Sequence, residues 1–336
     1  MNFQEYPRVV VEDIIRLRRR MEKSQLPIKR VDHNLLIGTW NLRMFSRIHE
    51  KWEENAEDPK RNLRAMAYIA EIVKRFDVIA IQEVRSNTSA IRTLINGFLG
   101  SNWDLLVSDV SAGSGGNAER LAFIFDRRRV QLSGLAGEIV LPPAKDGNPM
   151  LQFDRTPYIV GFRSMNENFS LLTAHIKYGK VPTDRLGELT ALAGYIATEI
   201  RNKVKEMSEE NNLIVLGDFN IDDRGENPLF KAFVSTGLIV PDQLLNLRTT
   251  YDTKPKYYDQ IAWFMSDMGL IYDGRAGVID FAGAIYKELS PKDMSYRVSD
   301  HFPLWVEFMT DRSTEVMART LGVDPNGPNP FEGVPD

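Results

Sequence analysis

The sequence predicts a mixed α/β domain in which sheets and helices stack in layers, and three observations predict it. Short apolar runs recur along the chain, two longer segments carry apolar residues at helical spacing, and residues 103 to 176 hold β runs without a helix pattern between them. That uninterrupted β stretch argues against a regular strand–helix alternation and for a layered domain.

The elements follow in order. "EDIIRLRRRMEK" places Ile14, Leu17 and Met21 at helical spacing among basic residues, and Pro27 bars continuation. The favoured reading is a helix that packs its apolar stripe on the domain and keeps its arginines in water; contact with nucleic acid or a partner is the second. "NLLIGTW" (34–40) reads as the first strand. Leu63, Met66, Ile69, Val73 and Phe76 then mark an amphipathic helix. Strands follow at "VIAIQEV" (78–84), "WDLLVS" (103–108), "RLAFIFD" (120–126), "PYIVGFR" (157–163) and "FSLLTAHI" (169–176). A second helix is marked by Leu186, Leu189, Leu192, Ile196, Ile200 and Val204. "LIVLGD" from Leu213, "YDQIAWF" (258–264) and "FPLWVEF" (302–308) complete the strands. The final residues, "DPNGPNPFEGVPD", hold four prolines and two glycines and predict no regular structure. The expected organisation is a basic helical extension over 1–31, one domain over 32–310, and a Pro/Gly-rich tail over 311–336.

Composition bounds the function. The 336 residues are 43% hydrophobic, enough for a large core, and no run approaches the roughly 18 apolar residues of a membrane span. No secretory signal is visible and there is no cysteine, so the expected location is a reducing compartment, the cytoplasm. The absence of thiols excludes disulfides and thiolate metal sites. A net charge of −4 argues against a uniformly basic coat while allowing a local basic patch.

Chemistry collects at the strand ends. Asn41 follows "IGTW", Glu83 follows "IAIQ", His175 follows "LLTA", and Asp218 and Asn220 follow "IVLG". Asp259 opens "DQIAWF", and Ser299, Asp300 and His301 precede the last strand. One polar residue at a strand end commonly caps a turn, but six strand ends together predict a site. Asp218 and Asn220, two apart, share one face; Asp222 and Asp223 sit in the turn before "RGENP" and are expected to take no catalytic part. Carboxylates and amides without thiols suit a hard divalent cation, Mg²⁺ or Mn²⁺, and no histidine pair of zinc type is present.

"GTWNLRMF", "DVIAIQEVR", "LLTAHIKYG", "LIVLGDFN", "YDQIAWF" and "VSDHFPLW", in that order, resemble the signature blocks of the endonuclease/exonuclease/phosphatase superfamily across residues 35 to 309. The resemblance implies a four-layer α/β/β/α sandwich, two packed mixed sheets flanked by helices, with the active site where strand ends converge. Within the superfamily the chain is most similar to deoxyribonuclease I-like nucleases. "VIAIQEVR" matches the stretch around their metal-binding glutamate and carries Arg85, implied to reach into the DNA minor groove. "DRTPYIVGFR" carries Arg155, implied to contact phosphate. The resemblance further implies that Glu119 orients His175 and Asp259 orients His301. It places Asn41, Glu83 and Asp300 on the metal side, Asp218 either ligating or orienting the water, and Asn220 on a phosphate oxygen. The implied activity is metal-dependent hydrolysis of DNA to 5′-phosphate and 3′-hydroxyl ends, with the histidines sharing the acid and base roles in an unassigned order. Another phosphoesterase activity of the superfamily, on abasic DNA or on inositol or lipid phosphates, is the alternative, and a non-catalytic interaction module a third. Two departures stand out. Asn117, in a "GSGGN" loop, replaces a groove-stacking tyrosine, and "PPAKDGNPMLQF" replaces the disulfide-bearing loop of secreted relatives.

Overall fold

A computed structural model describes residues 3–54, 57–111, 115, 117–143, 146–165, 167–179, 181–208, 212–251, 254–324, 327 and 330–334. Eleven strands run in chain order: β1 (Asn34–Phe45), β2 (Val78–Arg85), β3 (Trp103–Val107), β4 (Glu119–Asp126), β5 (Gln131–Glu138), β6 (Tyr158–Ser164), β7 (Glu167–His175), β8 (Leu213–Asp218), β9 (Asp259–Trp263), β10 (Ile271–Val278) and β11 (Leu304–Met309). They form a six-stranded sheet ordered β10-β11-β1-β2-β4-β3 and a five-stranded sheet ordered β5-β6-β7-β8-β9. Each sheet holds one parallel pair, β1 with β2 and β7 with β8, and its other pairs are antiparallel. Parallel neighbours end on the same side, so Asn41, Glu83, His175 and Asp218 leave their sheets at one edge. The two sheets pack face to face, with β1 and β2 against β8. The layered sandwich is therefore as expected.

The continuous apolar runs are explained by burial on both faces. Val78 and Ala80 of β2 point into the core between the sheets, while Ile79 and Ile81 point into a second core under the helices. β4 divides its residues the same way, Leu121, Phe123 and Phe125 against Ala122 and Ile124. The second core is closed by α1 (Arg8–Lys23) and α2 (Leu63–Val73). Val10, Ile14, Leu17 and Met21 of α1 are all buried, so the N-terminal stripe packs on the domain. α3 (Ser89–Thr93) follows β2, and α4 (Pro182–Tyr195), continued through a π turn into α5 (Arg201–Ser208), covers the other sheet.

The sequence reading omitted β5 and β10. Both are edge strands with one or both faces in water, both carry a glycine at positive φ (Gly134, Gly274), and both shift register against their neighbours. Such strands lack the apolar signal that marks a central strand. It also omitted five short helices: α3, α6 (Pro228–Val234), α7 (Asp242–Leu245), α8 (Pro291–Arg297) and α9 (Ser313–Leu321). α9 corrects the C-terminal expectation: the span 311–336 begins with a helix, and Gly322 at φ 69° terminates it. Within the proline-rich end, residues 325–326, 328–329 and 335–336 lie outside the described residues, as do residue 112 and, in the "GSGGN" loop, 113–114 and 116.

Candidate active site

Asn41 joins the two sheets. Its Nδ2 donates to Glu83 Oε1 at 3.0 Å within its own sheet and to Asp218 Oδ2 at 2.9 Å across the interface. Beneath it, Gln82 Nε2 donates to Thr39 Oγ1 at 3.0 Å and to Thr173 Oγ1 at 2.9 Å, a second fully buried link. Thr39 and Thr173 stand two residues before Asn41 and His175 on the same strand faces, and that period was the available signal for them.

Local backbone aims the groups. Glu83 sits at φ 62°, in the left-handed region, where β2 shifts register against β4 between Ile81 and Val84. This re-aims its carboxylate, which accepts from Met44 N at 2.7 Å as well as from Asn41. Asn220 is also left-handed, at φ 50°. A non-glycine residue held there costs on the order of 1–3 kcal/mol, and such strain gathers at functional sites. Gly217 has no alternative: at φ 146°, a Cβ would lie 2.1 Å from the Ala174 carbonyl oxygen. Only glycine lets β7 and β8 approach closely enough to set His175 beside Asp218 in register.

Two carboxylate–imidazole pairs flank Asp218. His175 Nδ1 lies 2.8 Å from Glu119 Oε2, and His301 Nδ1 lies 2.8 Å from Asp259 Oδ2. Their Nε2 atoms approach Asp218 Oδ2 at 3.5 and 3.9 Å. Thr249 Oγ1 accepts from Asp259 N, and Ser299 Oγ ties His301 N to the Asn41 carbonyl. Burial disfavours the charged imidazole of His175, but Glu119 and Asp218 outweigh it and raise its pKa. For His301 burial is outweighed further by Asp259 and Asp218, placing the ring well above the ordinary histidine range. Burial lifts the Asp259 carboxyl against the pull of His301. Burial also opposes the charge on Glu83, yet His175, the Met44 N–H and Asn41 pull that carboxyl down to about 2.

The arginines gather on Glu119. Arg155 Nε lies 2.7 Å from its Oε2 and Arg85 NH2 lies 3.5 Å from its Oε1. Arg85 also donates to the Asn117 carbonyl. Asn220 N donates to Asp218 Oδ1 at 2.9 Å, and its Nδ2 donates to the Ile176 carbonyl at 2.6 Å. Asp300 faces outward and pairs with Arg43 NH1 at 3.0 Å. Asp222, expected to have no partner in the site, is tied in at one remove. It accepts from Arg185 and Lys256 at 2.7 Å each, and Arg185 NH1 donates to the Asn220 carbonyl at 2.5 Å. Sequence reasoning missed Arg185, whose place in α4 carried no mark beyond one basic residue in an amphipathic pattern.

Asp218, Asp259 and His301 present ligand atoms within 4.8 Å of one another. Two of those groups are already hydrogen-bonded together, so the trio fits a proton-holding pair beside a carboxylate better than a closed metal cage. The oxygen donors of Glu83, the Asn41 amide and Asp218 fit a hard divalent cation.

Two packed sheets meeting at such an edge define a class of protein, the hydrolytic phosphoesterases, whose members generally depend on a divalent metal. The chain belongs to the Endonuclease/Exonuclease/phosphatase family, whose model matches residues 38–301. It is 27% identical over 289 residues to a deoxyribonuclease of Thioalkalivibrio sp. (strain K90mix), covering 82% of this chain and 71% of the relative. It is 25% identical to deoxyribonuclease-1 of Bos taurus, covering 81% and 92%. Among solved structures, a mannosyl-6-phosphatase of Bacteroides thetaiotaomicron superposes with a TM-score of 0.54 at 20% identity, covering 82% of this chain and 99% of that one. TDP2 of D. rerio complexed with single strand DNA product superposes at 0.52 and 16%, covering 82% and 98%. Both share the fold. Among the described residues, no helix is long and apolar enough to cross a membrane.

Proposed function

We propose that the protein is a Mg²⁺- or Mn²⁺-dependent endonuclease of deoxyribonuclease I type, hydrolysing DNA to 5′-phosphate and 3′-hydroxyl ends. The observation that carries this reading is the approach of two carboxylate-held imidazoles to one buried carboxylate, Asp218, from opposite sheets. The deoxyribonuclease relatives and the grouping of Arg85 and Arg155 at Glu119 favour DNA among phosphodiesters.

Glu83, Asn41 and Asp218 would hold the cation, with Asp300 able to join from the rim. The bound ion would neutralise charge on the phosphoryl group. Asp218 accepts a hydrogen from the attacking water and orients it. One imidazole takes the water's proton as its oxygen bonds to phosphorus, and the other gives a proton to the 3′ oxygen as the P–O bond breaks. Glu119 and Asp259 hold each ring by Nδ1 and leave Nε2 for that exchange. Asn220 spends one amide hydrogen on Ile176 and offers the other to a phosphate oxygen. Arg155 and Arg85 meet the flanking backbone.

Incubation with supercoiled plasmid in Mg²⁺ is expected to give nicked circles that a DNA ligase reseals, and EDTA is expected to abolish the reaction. Glu83→Ala and His175→Ala proteins should leave the plasmid intact. Wild-type protein that leaves the plasmid supercoiled but hydrolyses abasic oligonucleotides or inositol phosphates would replace the DNase reading with the other phosphoesterase reading.

A further inference from the structure

α1 packs its apolar stripe on the domain, and the end of its basic face, Arg19 and Lys23, stays in solvent. Arg16, Arg19, Arg20 and Lys23 line one wall of a cleft of about 650 Å³, and Ala276, Gly277 and Val278 of β10 line the other. Asp280 is the one acid among the lining residues, and Arg16 is already paired with Asp13, so Arg19, Arg20 and Lys23 carry the cleft's positive charge in a protein whose net charge is −4. Two of the guanidinium groups are held in place by backbone carbonyls: Arg16 Nε donates to Ala284 O at 3.1 Å and Arg20 NH2 to Ala282 O at 2.8 Å. Arg19 and Lys23 are exposed, and among the described residues no acid pairs with either.

This cleft adjoins the candidate active site. The neighbouring cleft, about 580 Å³, contains His301 and Asp300 and is lined by Arg43, Arg248, Lys256 and Lys292. Leu247 belongs to one cleft and Arg248 to the other, and Arg248 NH2 reaches Asp280 Oδ2 at 3.6 Å across the boundary. Cations thus continue from His301 past Arg248 to the end of α1. A chain of regularly spaced anions is the ligand such a row fits, each phosphate exchanging its counterion for a fixed cation.

We propose that the cleft between α1 and β10 is a second binding site, for the sugar–phosphate backbone of a nucleic acid whose scissile bond lies at Asp218. It rests on the phosphodiesterase reading and adds to it a contact outside the family match at 38–301. The site binds phosphate without reading base edges, so its contribution is to affinity and salt dependence.

The test compares wild type with the double variant Arg19→Glu, Lys23→Glu, both positions exposed and away from the catalytic groups. Anisotropy of a fluorescent duplex of roughly 30 base pairs, titrated in EDTA at stepped NaCl, should show about tenfold or greater weakening in the variant and a salt slope smaller by about 2. Turnover of bis(p-nitrophenyl) phosphate with Mn²⁺, which needs only the catalytic cleft, should be unchanged. Equal duplex affinity in both proteins, or no duplex binding by wild type, overturns the proposal. Loss of diester turnover together with duplex binding also overturns it, by showing damage beyond the cleft. Unchanged duplex binding with a charge-dependent loss of binding to vesicles of phosphatidylserine and phosphatidylcholine assigns the cleft to a membrane surface instead. Duplex binding through α1 by a wild type that hydrolyses no phosphodiester supports the second site and rejects the catalytic reading.

Discussion

Asp13 and Asp218 are both buried carboxylates that collect donors, and they do opposite things. Asp13, on α1, is closed. Arg64 NH2 at 2.7 Å, the Tyr68 hydroxyl at 2.5 Å and Tyr286 N at 3.2 Å converge on one oxygen, and Arg16 holds the other. Asp218 is bonded by amides alone, from Asn41 and Asn220. Its two imidazoles stand off at 3.5 and 3.9 Å, past a normal hydrogen bond. Donors that close on a buried charge stabilise a fold; donors fixed just out of reach leave room for a reacting oxygen. The standing-off is enforced from behind, because Glu119 and Asp259 hold each ring by its other nitrogen.

The largest expected effect tests the open cluster. His175→Ala and His301→Ala should each lower kcat on plasmid or diester by about a thousandfold when assayed well below the variant's melting temperature. Retained turnover would make Asp218 a structural carboxylate like Asp13. The converse change, Asp13→Ala, should cost about 3 kcal/mol of stability, read from denaturant unfolding, because it removes the buried acceptor shared by Arg64, Tyr68 and Tyr286 N and leaves the Arg64 guanidinium to Glu288. Its kcat, measured well below the melting temperature, should stay within about twofold; a catalytic loss as large as that of the histidine variants would erase the distinction.

Glu119→Gln keeps the shape and removes the charge that orients His175. The expected loss is about a hundredfold in kcat, with whichever limb of the pH–rate profile reports His175 displaced to lower pH, since the imidazole loses the partner that raises its pKa. An unchanged profile would assign Glu119 to Arg155 alone. The smallest effect concerns a third buried carboxylate of the closed kind. Burial opposes the charge on Asp126, but Arg128 and Lys29 outweigh it and bring its carboxyl from 3.8 to about 2. A depressed folded-state value stabilises above the unfolded one, so about 2 kcal/mol is fully present above roughly pH 4 and is lost as pH falls through about 2. Asp126→Asn should remove that part of the acid sensitivity in unfolding curves recorded between these pH values.

The central strands were legible because burial on both faces imposes continuous apolar runs, as in "VIAIQEV" and "RLAFIF". β5 and β10 were not, since one-sided, glycine-bearing edge strands impose almost no pattern. In the site, the strand-end residues Asn41, Glu83, His175 and Asp218 were legible from placement alone. Glu119 could be paired with His175, and Arg155 assigned to phosphate, only through resemblance to the nuclease blocks. Arg185 and Thr249 hold the site from behind through contacts 35 and 10 residues apart in sequence, and nothing in their own neighbourhoods marked them, whereas Ser299 was marked by its place beside Asp300 and His301.

By itself, the sequence determined the central strands and the longer amphipathic helices, and that hard oxygen donors and two histidines end those strands. Such properties are local, set by side-chain period and by donor chemistry. The tertiary structure alone decided that Asn41 bridges the sheets, that Glu83 turns into the site on a left-handed backbone, and that Asp13 is sealed while Asp218 is left open. Those outcomes depend on distances between strands far apart in the chain, and an ångström of approach separates a closed ion cluster from a reactive one.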